Sequence, residues 1–295
     1  MPDVERPARL GNVLVATDFV QSDALDRAVR LPITPGSSIT LLHVVPTDLP
    51  ETIERSFRRN AERLVAELAT SARARLEASG RGDVDVYHAV ETGKPVEVIC
   101  EQAQSLRAQL VVVGRTALPP TPAHPIGATA ERVARASDTP VLIVAQRPIG
   151  PYRKPLIAID GGELSPTVVD MALRVAEPGL ASAEILRAFT APDLGILRES
   201  DLGPEEMGDY VAQYARRARR DLAHLLPTLP QRGVVYEPVV REGDARRVLL
   251  DEAARKHSDL IAVGTRGHSR WIRLLMGSVA EAVVRNAAID VLVVR

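Results

Sequence analysis

Short, continuously apolar runs alternate with longer amphipathic stretches along the chain. Val13–Thr17 and Leu156–Ile159 are such runs, and each leads into a helical pattern, over Ser22–Leu31 and Pro166–Ala176. Second runs at Ile39–Val45 and Ala183–Phe189 precede long amphipathic segments over Glu51–Ala78 and Pro204–Leu226. Third runs at Val84–Val90 and Val234–Val240 precede helices over Pro95–Ser105 and Ala245–Lys256. A fourth run, a loop, a further helix and a closing run complete each series. Strands that are apolar throughout belong to parallel sheets covered on both faces. The pattern predicts an α/β fold with right-handed crossovers and with ligand sites beyond the C-terminal strand ends.

The two series are one unit written twice. Val141-Leu142-Ile143-Val144 returns as Val291-Leu292-Val293-Val294, an offset of 291 − 141 = 150. Val111-Val112-Val113-Gly114 returns as Ile261-Ala262-Val263-Gly264 and Glu91-Thr92-Gly93 as Arg241-Glu242-Gly243, both at that offset. Leu14–Asp18 matches Leu156–Asp160 at 160 − 18 = 142, so the second copy carries an insertion of eight residues. Pro148, Gly150, Pro151 and Pro155 mark the boundary, placing one domain over 1–147 and the other over 153–295. The expected architecture is two tandem, open-twisted, parallel five-stranded sheets packed as an intramolecular pseudo-dimer. The closing strands Val141–Ala145 and Val291–Val294 are the natural pairing elements, because an uncovered edge strand is a liability.

Composition narrows the function classes. Among 295 residues, 45% are hydrophobic, 25% are charged and the formal net charge is −1. That balance gives no reason to expect sequence-independent binding to nucleic acid or to an anionic membrane. No run approaches the roughly 18 apolar residues of a membrane span, and the acidic start lacks the pattern of a signal peptide. The single cysteine, Cys100, cannot form an internal disulfide, so a reducing cytoplasm is the expected compartment. Its setting beside Val98 and Ile99 suits a small buried residue rather than a reactive thiol.

The strongest chemical signal follows the fourth run of the second copy. Gly264-Thr265-Arg266-Gly267 is followed by nine residues, then by Gly277-Ser278 and an amphipathic stretch. A helix start presents unpaired N–H groups and the positive end of a dipole, and glycines allow an anion to approach both. Ser278 and Glu281 have the spacing of a capping box. In the first copy the spacing survives as Gly114…Ala117…Gly127-Ala128, but the second glycine and the hydroxyl are lost and the loop holds four prolines. Each proline removes a donor and fixes φ, so that loop is poorly suited to wrap a phosphate. There is no G-x-x-x-x-G-K-[ST] loop, G-x-S-x-G elbow or H-E-x-x-H pair.

With these motifs the chain resembles a tandem universal stress protein of the nucleotide-binding class, whose phosphate motif is G-x2-G-x9-G-[S/T]. The second copy matches that motif in full, and the tail from Gly277-Ser278 to Val-Leu-Val-Val-Arg295 is similar too. The resemblance implies a Rossmann-like unit of the adenine nucleotide alpha hydrolase type and an ATP ligand, with or without Mg²⁺. It implies that Asp160 faces the adenosine end and that backbone at Ala188, within Arg187–Phe189, borders the adenine. Gly264 and Gly267 would line ribose and phosphates. The Gly277 and Ser278 amides, the Ser278 hydroxyl and the adjoining Val279 would meet the phosphates. Related single-domain proteins dimerise through the closing strand, and a homodimer of the whole chain is a further expected association.

Other features have simpler readings beside their sharper ones. Arg266, with Arg270 and Arg273, raises the positive potential of the loop, and His268 is a loop histidine within reach of a phosphate. Trp271 could serve as a lid, an interface residue or core. Arg216-Arg217-Ala218-Arg219-Arg220 spreads over several helix faces, with Arg217 four residues from Asp221. His43 sits within an apolar strand without a second ligand at metal spacing. Ser165 before Pro166 has the order of a helix N-cap. Three functional readings stand at this level: a nucleotide-binding regulator, a slow ATPase or autophosphorylating enzyme acting at Ser278, Thr265 or His268, and a ligand-free interaction module.

Overall fold

Ten strands and their crossover helices follow the predicted order in a computed structural model that describes residues 9–19, 22–47, 50–115, 127–192, 203–265 and 276–295. The first half runs β1 (Val13–Ala16), α1 (Asp23–Ala28), β2 (Ser38–Val45), α2 (Glu51–Ala78), β3 (Asp85–Thr92), α3 (Pro95–Ser105), β4 (Leu110–Gly114), α4 (Ala128–Ala136) and β5 (Val141–Val144). The second runs β6 (Pro155–Ala158), α5 (Ser165–Val175), β7 (Ser182–Phe189), α6 (Pro204–Leu225), β8 (Val235–Glu242), α7 (Ala245–Lys256), β9 (Leu260–Gly264), α8 (Ser278–Asn286) and β10 (Asp290–Val294). Predicted bounds agree to within about two residues except at α1, which ends at Ala28 rather than Leu31, and those of α2, α3 and α7 coincide.

Local chemistry accounts for these elements. In α2, buried Ala61, Val65, Ala69, Ala72 and Leu76 recur every three or four residues and form one apolar stripe. The opposite face carries Arg55–Glu51, Arg58–Glu62 and Arg63–Glu67 pairs four residues apart. Pro95 opens α3, where a missing N–H costs nothing. The repeated glycine before α3 and α7 has a steric cause. Gly93 (φ +157°) and Gly243 (φ +133°) sit where a Cβ would fall 2.6 Å from Val98 and 3.0 Å from Val248.

The strands form one sheet in the order β3-β2-β1-β4-β5-β10-β9-β6-β7-β8. Every neighbouring pair is parallel except β5 and β10, which run antiparallel with Leu142 opposite Leu292. The two expected sheets are therefore continuous, because each closing strand uses the other to satisfy its outer row of backbone groups. Alternate residues of each strand enter opposite cores. Val13, Val15, Leu110 and Val112 pack with α1, α2, α5 and α6, whereas Leu14, Val111 and Val113 pack with α3, α4, α7 and α8.

Polar groups fasten the seam. Asp290, at the start of β10, is 2% exposed; its carboxylate accepts from Arg27 Nε at 3.0 Å, Tyr152 OH at 2.5 Å and the Ala145 amide at 2.8 Å. Arg27 also donates to the Gly150 carbonyl at 2.7 Å and lies 3.9 Å above the Tyr152 ring. Burial raises the Asp290 pKa, while Arg27 and the other donors pull it down. On the other face, Glu131 and Arg135 of α4 meet Glu281 and Arg285 of α8, with Arg285–Glu131 at 2.7 Å and Arg135–Glu281 at 3.5 Å. The Arg285 contact holds the Glu131 carboxyl below its ordinary value of 4.5.

Removing one partner of a buried ion pair strands the other, at a cost of about 3–5 kcal/mol. Arg27→Met should lower the urea unfolding free energy by about that amount, and adding Asp290→Asn should recover part of it. For Glu131, whose folded pKa is depressed, the pair's stabilisation is present above pH 4.5 and is lost as pH falls through the folded value. Unfolding curves of Glu131→Gln across acidic pH should show a shallower loss of stability than those of the unaltered protein.

Candidate functional site

A cleft of about 350 Å³ opens where β6, β7 and β9 end and α5 and α8 begin. This is the side of a doubly wound sheet on which connections diverge and leave a crevice. Leu164 and Val168 wall it from the α5 side, Leu186 from β7 and Leu249 from α7. Asp160, Ala188, Gly264, Gly277, Ser278 and Val279 all line it, although 279 − 160 = 119 positions separate the first from the last. Arg266, Gly267 and His268 lie outside the described residues, as do Arg270, Trp271, Arg273 and the proline-bearing segment of the first copy.

The polar floor is the start of α8. Gly277 is its N-cap in an extended conformation, φ −61° and ψ 148°, and the first intrahelical bond runs from the Glu281 amide to the Gly277 carbonyl at 2.9 Å. The amides of Ser278, Val279 and Ala280 therefore precede any helical acceptor, and all three residues line the cleft. Their donors and the positive end of the helix dipole act on the same small volume.

Three expectations are corrected here. Ser278 is the first helical residue rather than the cap, and the Glu281 carboxylate turns to Arg285 at 2.9 Å and Arg135 at 3.5 Å, so no capping box forms. The Gly277 amide donates to the Thr265 carbonyl at 2.8 Å, which closes the loop and commits that N–H away from a ligand. The same closure occurs in the first copy, from Gly127 to Arg115 at 2.6 Å. Ser165 is also a helical residue, with Leu164 as the cap of α5, and its buried hydroxyl has no hydrogen-bond partner.

The glycines have packing reasons beside any ligand reason. A Cβ on Gly264 would lie 2.8 Å from Leu164 Cδ2, and one on Gly277 would lie 3.0 Å from the Thr265 carbonyl oxygen. Gly277→Val would therefore force the loop closure apart and is a poor probe of binding alone. Asp160 accepts from the Gly162 amide at 2.8 Å, a turn that aims the chain from β6 into α5. Asp221 accepts from Arg187 of β7 at 3.2 Å, so the carboxylate spaced for Arg217 instead ties α6 to β7, one strand in from the sheet edge.

His43 takes its simpler reading as a packed residue, whereas Cys100 is partly exposed rather than the buried residue expected. The His43 Nδ1 hydrogen donates to the Thr17 carbonyl at 2.8 Å, its ring lies 4.2 Å from that of Phe19, and burial lowers its pKa. Half-buried Cys100 has its thiol pushed up by burial, which disfavours the reactive thiolate. Among the described residues, no group of three or more His, Cys, Asp or Glu side chains could hold a metal ion. Sequence reasoning missed Ser165 and the α7 residues Ala245 and Leu249 as parts of the cleft. Leu249 is buried on α7, and the strand order brings that helix beside α8.

Comparison with known proteins adds an independent line. The model of the universal stress protein family matches residues 10–145 and again 151–295. Universal stress protein YxiE of Bacillus subtilis is 28% identical over 151 residues, spanning 49% of this chain and 99% of the relative. Universal stress protein Rv2319c of Mycobacterium tuberculosis is 25% identical over 283 residues, spanning 93% of this chain and 95% of the relative. A crystal structure of a universal stress protein from Archaeoglobus fulgidus shares the fold, with a TM-score of 0.67, 17% identity and 97% of each chain covered. The duplicated strand–helix unit and the two consecutive matches agree: this chain belongs to the universal stress protein family and carries the family's unit twice.

Proposed function

We propose that the second half of the chain, residues 153–295, binds an adenine nucleotide, and that occupancy makes the protein a regulatory element of a stress response. The observation that carries this reading is the row of amides at Ser278, Val279 and Ala280, which precede any helical acceptor, beside a cleft whose walls are mostly apolar apart from Asp160 and Ser165. Such a floor suits a polyanion, and walls formed by Leu164, Val168, Leu186 and Leu249 suit the faces of a flat base. The volume of about 350 Å³ falls at the lower end of small-molecule sites. ATP is the nucleotide favoured by the family motif, and Mg²⁺ would be carried on its phosphates rather than by side chains.

The first half, residues 1–147, acts in this proposal chiefly as a structural partner. Its α4 starts with Ala128 instead of a serine, so the corresponding floor offers no side-chain hydroxyl at that position. Arg115, which stands where the second copy has Thr265, reaches across to the Arg285 carbonyl at 2.9 Å and to that of Ala287 at the end of α8. Its charge is directed to a helix C-terminus of the other half rather than into its own loop. The proposed compartment is the cytoplasm.

Release and identification of the bound molecule is the direct test. Unfolding the purified protein should liberate an adenine nucleotide detectable by absorbance and mass, or calorimetry of the emptied protein should show saturable binding of ATP; neither result would leave the proposal standing on nothing. Ser278→Pro is the sharper probe, because proline suits the first helical position and Gly277 already has the extended conformation required before it. That change removes an amide donor and the hydroxyl together, and should weaken ATP binding about tenfold or more while helix content is kept. Ser278→Ala removes only the hydroxyl and should weaken binding about three- to tenfold. At the twin position, Ala128→Pro should leave ATP binding unchanged.

A further inference from the structure

The helix that floors the cleft is held at its far end by the other half of the chain. α8 is nine residues long, so its first amides stand about 13 Å from its last turn. That last turn is gripped by Arg115, which follows β4 and donates to the carbonyls of Arg285, at 2.9 Å, and Ala287. The Arg115 backbone is itself fixed, its amide donating to the Val144 carbonyl at 2.8 Å and its carbonyl accepting from the Gly127 amide at 2.6 Å. Among the described residues, the side chains that bond α8 from outside it all come from the first half: Arg115, Glu131 and Arg135. Arg115 is half-buried, its Nε has no hydrogen-bond partner, and no described carboxylate pairs with it. A cation placed so is costly to desolvate, and the carbonyl end of α8 is what answers it. The twin helix meets the same need with a different residue. In α4 and just beyond it, the carbonyls of Arg135 and Ser137, each 150 positions earlier (285 − 135 and 287 − 137), accept from Arg295 at 3.3 and 3.1 Å. Each of these helices is thus clamped at its C-terminal end by an arginine of the opposite half.

We infer that Arg115 is a positioning residue of the nucleotide site: by clamping the last turn of α8 it fixes where the amides of Ser278, Val279 and Ala280 stand, so the first half completes a site that lies in the second. The inference rests on the nucleotide reading of the same cleft. Backbone donors serve an anion well only when they are held in one place before it arrives. The N-terminal end of α8 is seated by the bond from the Gly277 amide to the Thr265 carbonyl, and the far end by Arg115. Without the clamp the carbonyls of Arg285 and Ala287 lose their donor, the last turn frays, and the short helix is free to tilt about its start. The donors then lose their common aim although every residue that lines the cleft is unchanged.

The test uses the full chain and compares Arg115→Ala with Arg27→Met, which removes a guanidinium that also crosses between the halves but bonds Asp290 and Gly150 rather than α8. Calorimetric titration with ATP, well below both unfolding midpoints, should show about 3- to 10-fold weaker binding by Arg115→Ala and unchanged binding by Arg27→Met. In the ligand-free protein, the amide resonances of Ser278, Val279 and Ala280 should shift in Arg115→Ala and hold their positions in Arg27→Met. Arg115→Lys keeps the charge but not the fork, so its ATP affinity should fall between those of the alanine variant and the unaltered protein. It carries the test should the alanine variant not fold. ATP affinity that is equal in the unaltered protein and the Arg115 variants overturns the inference, and so do unmoved amide resonances. An equal loss in Arg27→Met overturns it too, since the cause would then be a looser seam rather than the seat of α8. If the unaltered protein binds no ATP, the nucleotide reading fails and this inference falls with it, whereas ATP binding that ignores Arg115 removes the inference alone.

Discussion

A carboxylate placed in the middle of a ten-stranded sheet must be answered, and the answer to Asp290 dictates how the two halves meet. Desolvation alone would expel or neutralise it. Arg27 comes from α1 of the first half, Tyr152 and Gly150 from the connection, and the Ala145 amide from the residue after β5. The twin positions lack the ion pair. Pro140 stands 150 residues before Asp290, and Met171 stands where Arg27 does when Ala28-Val29-Arg30 is laid on Ala172-Leu173-Arg174. Two copies of the second half could not satisfy one another in this way. The joint is specific because its polar groups are not symmetric.

The candidate site depends on a related economy of backbone groups. The motif's glycines are usually read as room for a phosphate, yet here Gly264 makes room for Leu164 and Gly277 for the Thr265 carbonyl. Their close approach seats the loop so that the next three amides emerge at the cleft. The geometry of the cleft floor is thus an outcome of packing between β9, α5 and α8. The walls have the same origin: Leu164 and Val168 belong to one core, Leu249 to the other, and the cleft is the gap left where the two cores part at the strand ends.

Much of this was legible in the residues. Continuous apolar runs gave away the strands, since a strand buried on both faces has no polar alternation to hide it, and the repeat supplied a second reading of every element. Pro95, Pro204 and the stripe of α2 located helix starts and faces. What failed were the capping roles of Ser165 and Ser278. A hydroxyl one position inside a helix has the same sequence signature as one at the cap, and only backbone angles separate them. The Gly277 amide was assigned to a phosphate because its partner, the Thr265 carbonyl, is reached only by folding the intervening loop. Arg115 was opaque for the same reason: its acceptors lie 170 and 172 positions away.

The outer margins of the sheet differ in character from its middle. Apolar β5 and β10 face each other, whereas β3 and β8, each paired on one side, carry Asp85, His88 and Glu91 at one end and Glu237, Pro238, Arg241 and Glu242 at the other. Proline has no amide hydrogen to lend to an arriving strand, and closely spaced charges resist stacking against a copy of themselves. Both features disfavour the lateral addition of another strand, so the outer strands differ in kind from the apolar pair that joins at the centre.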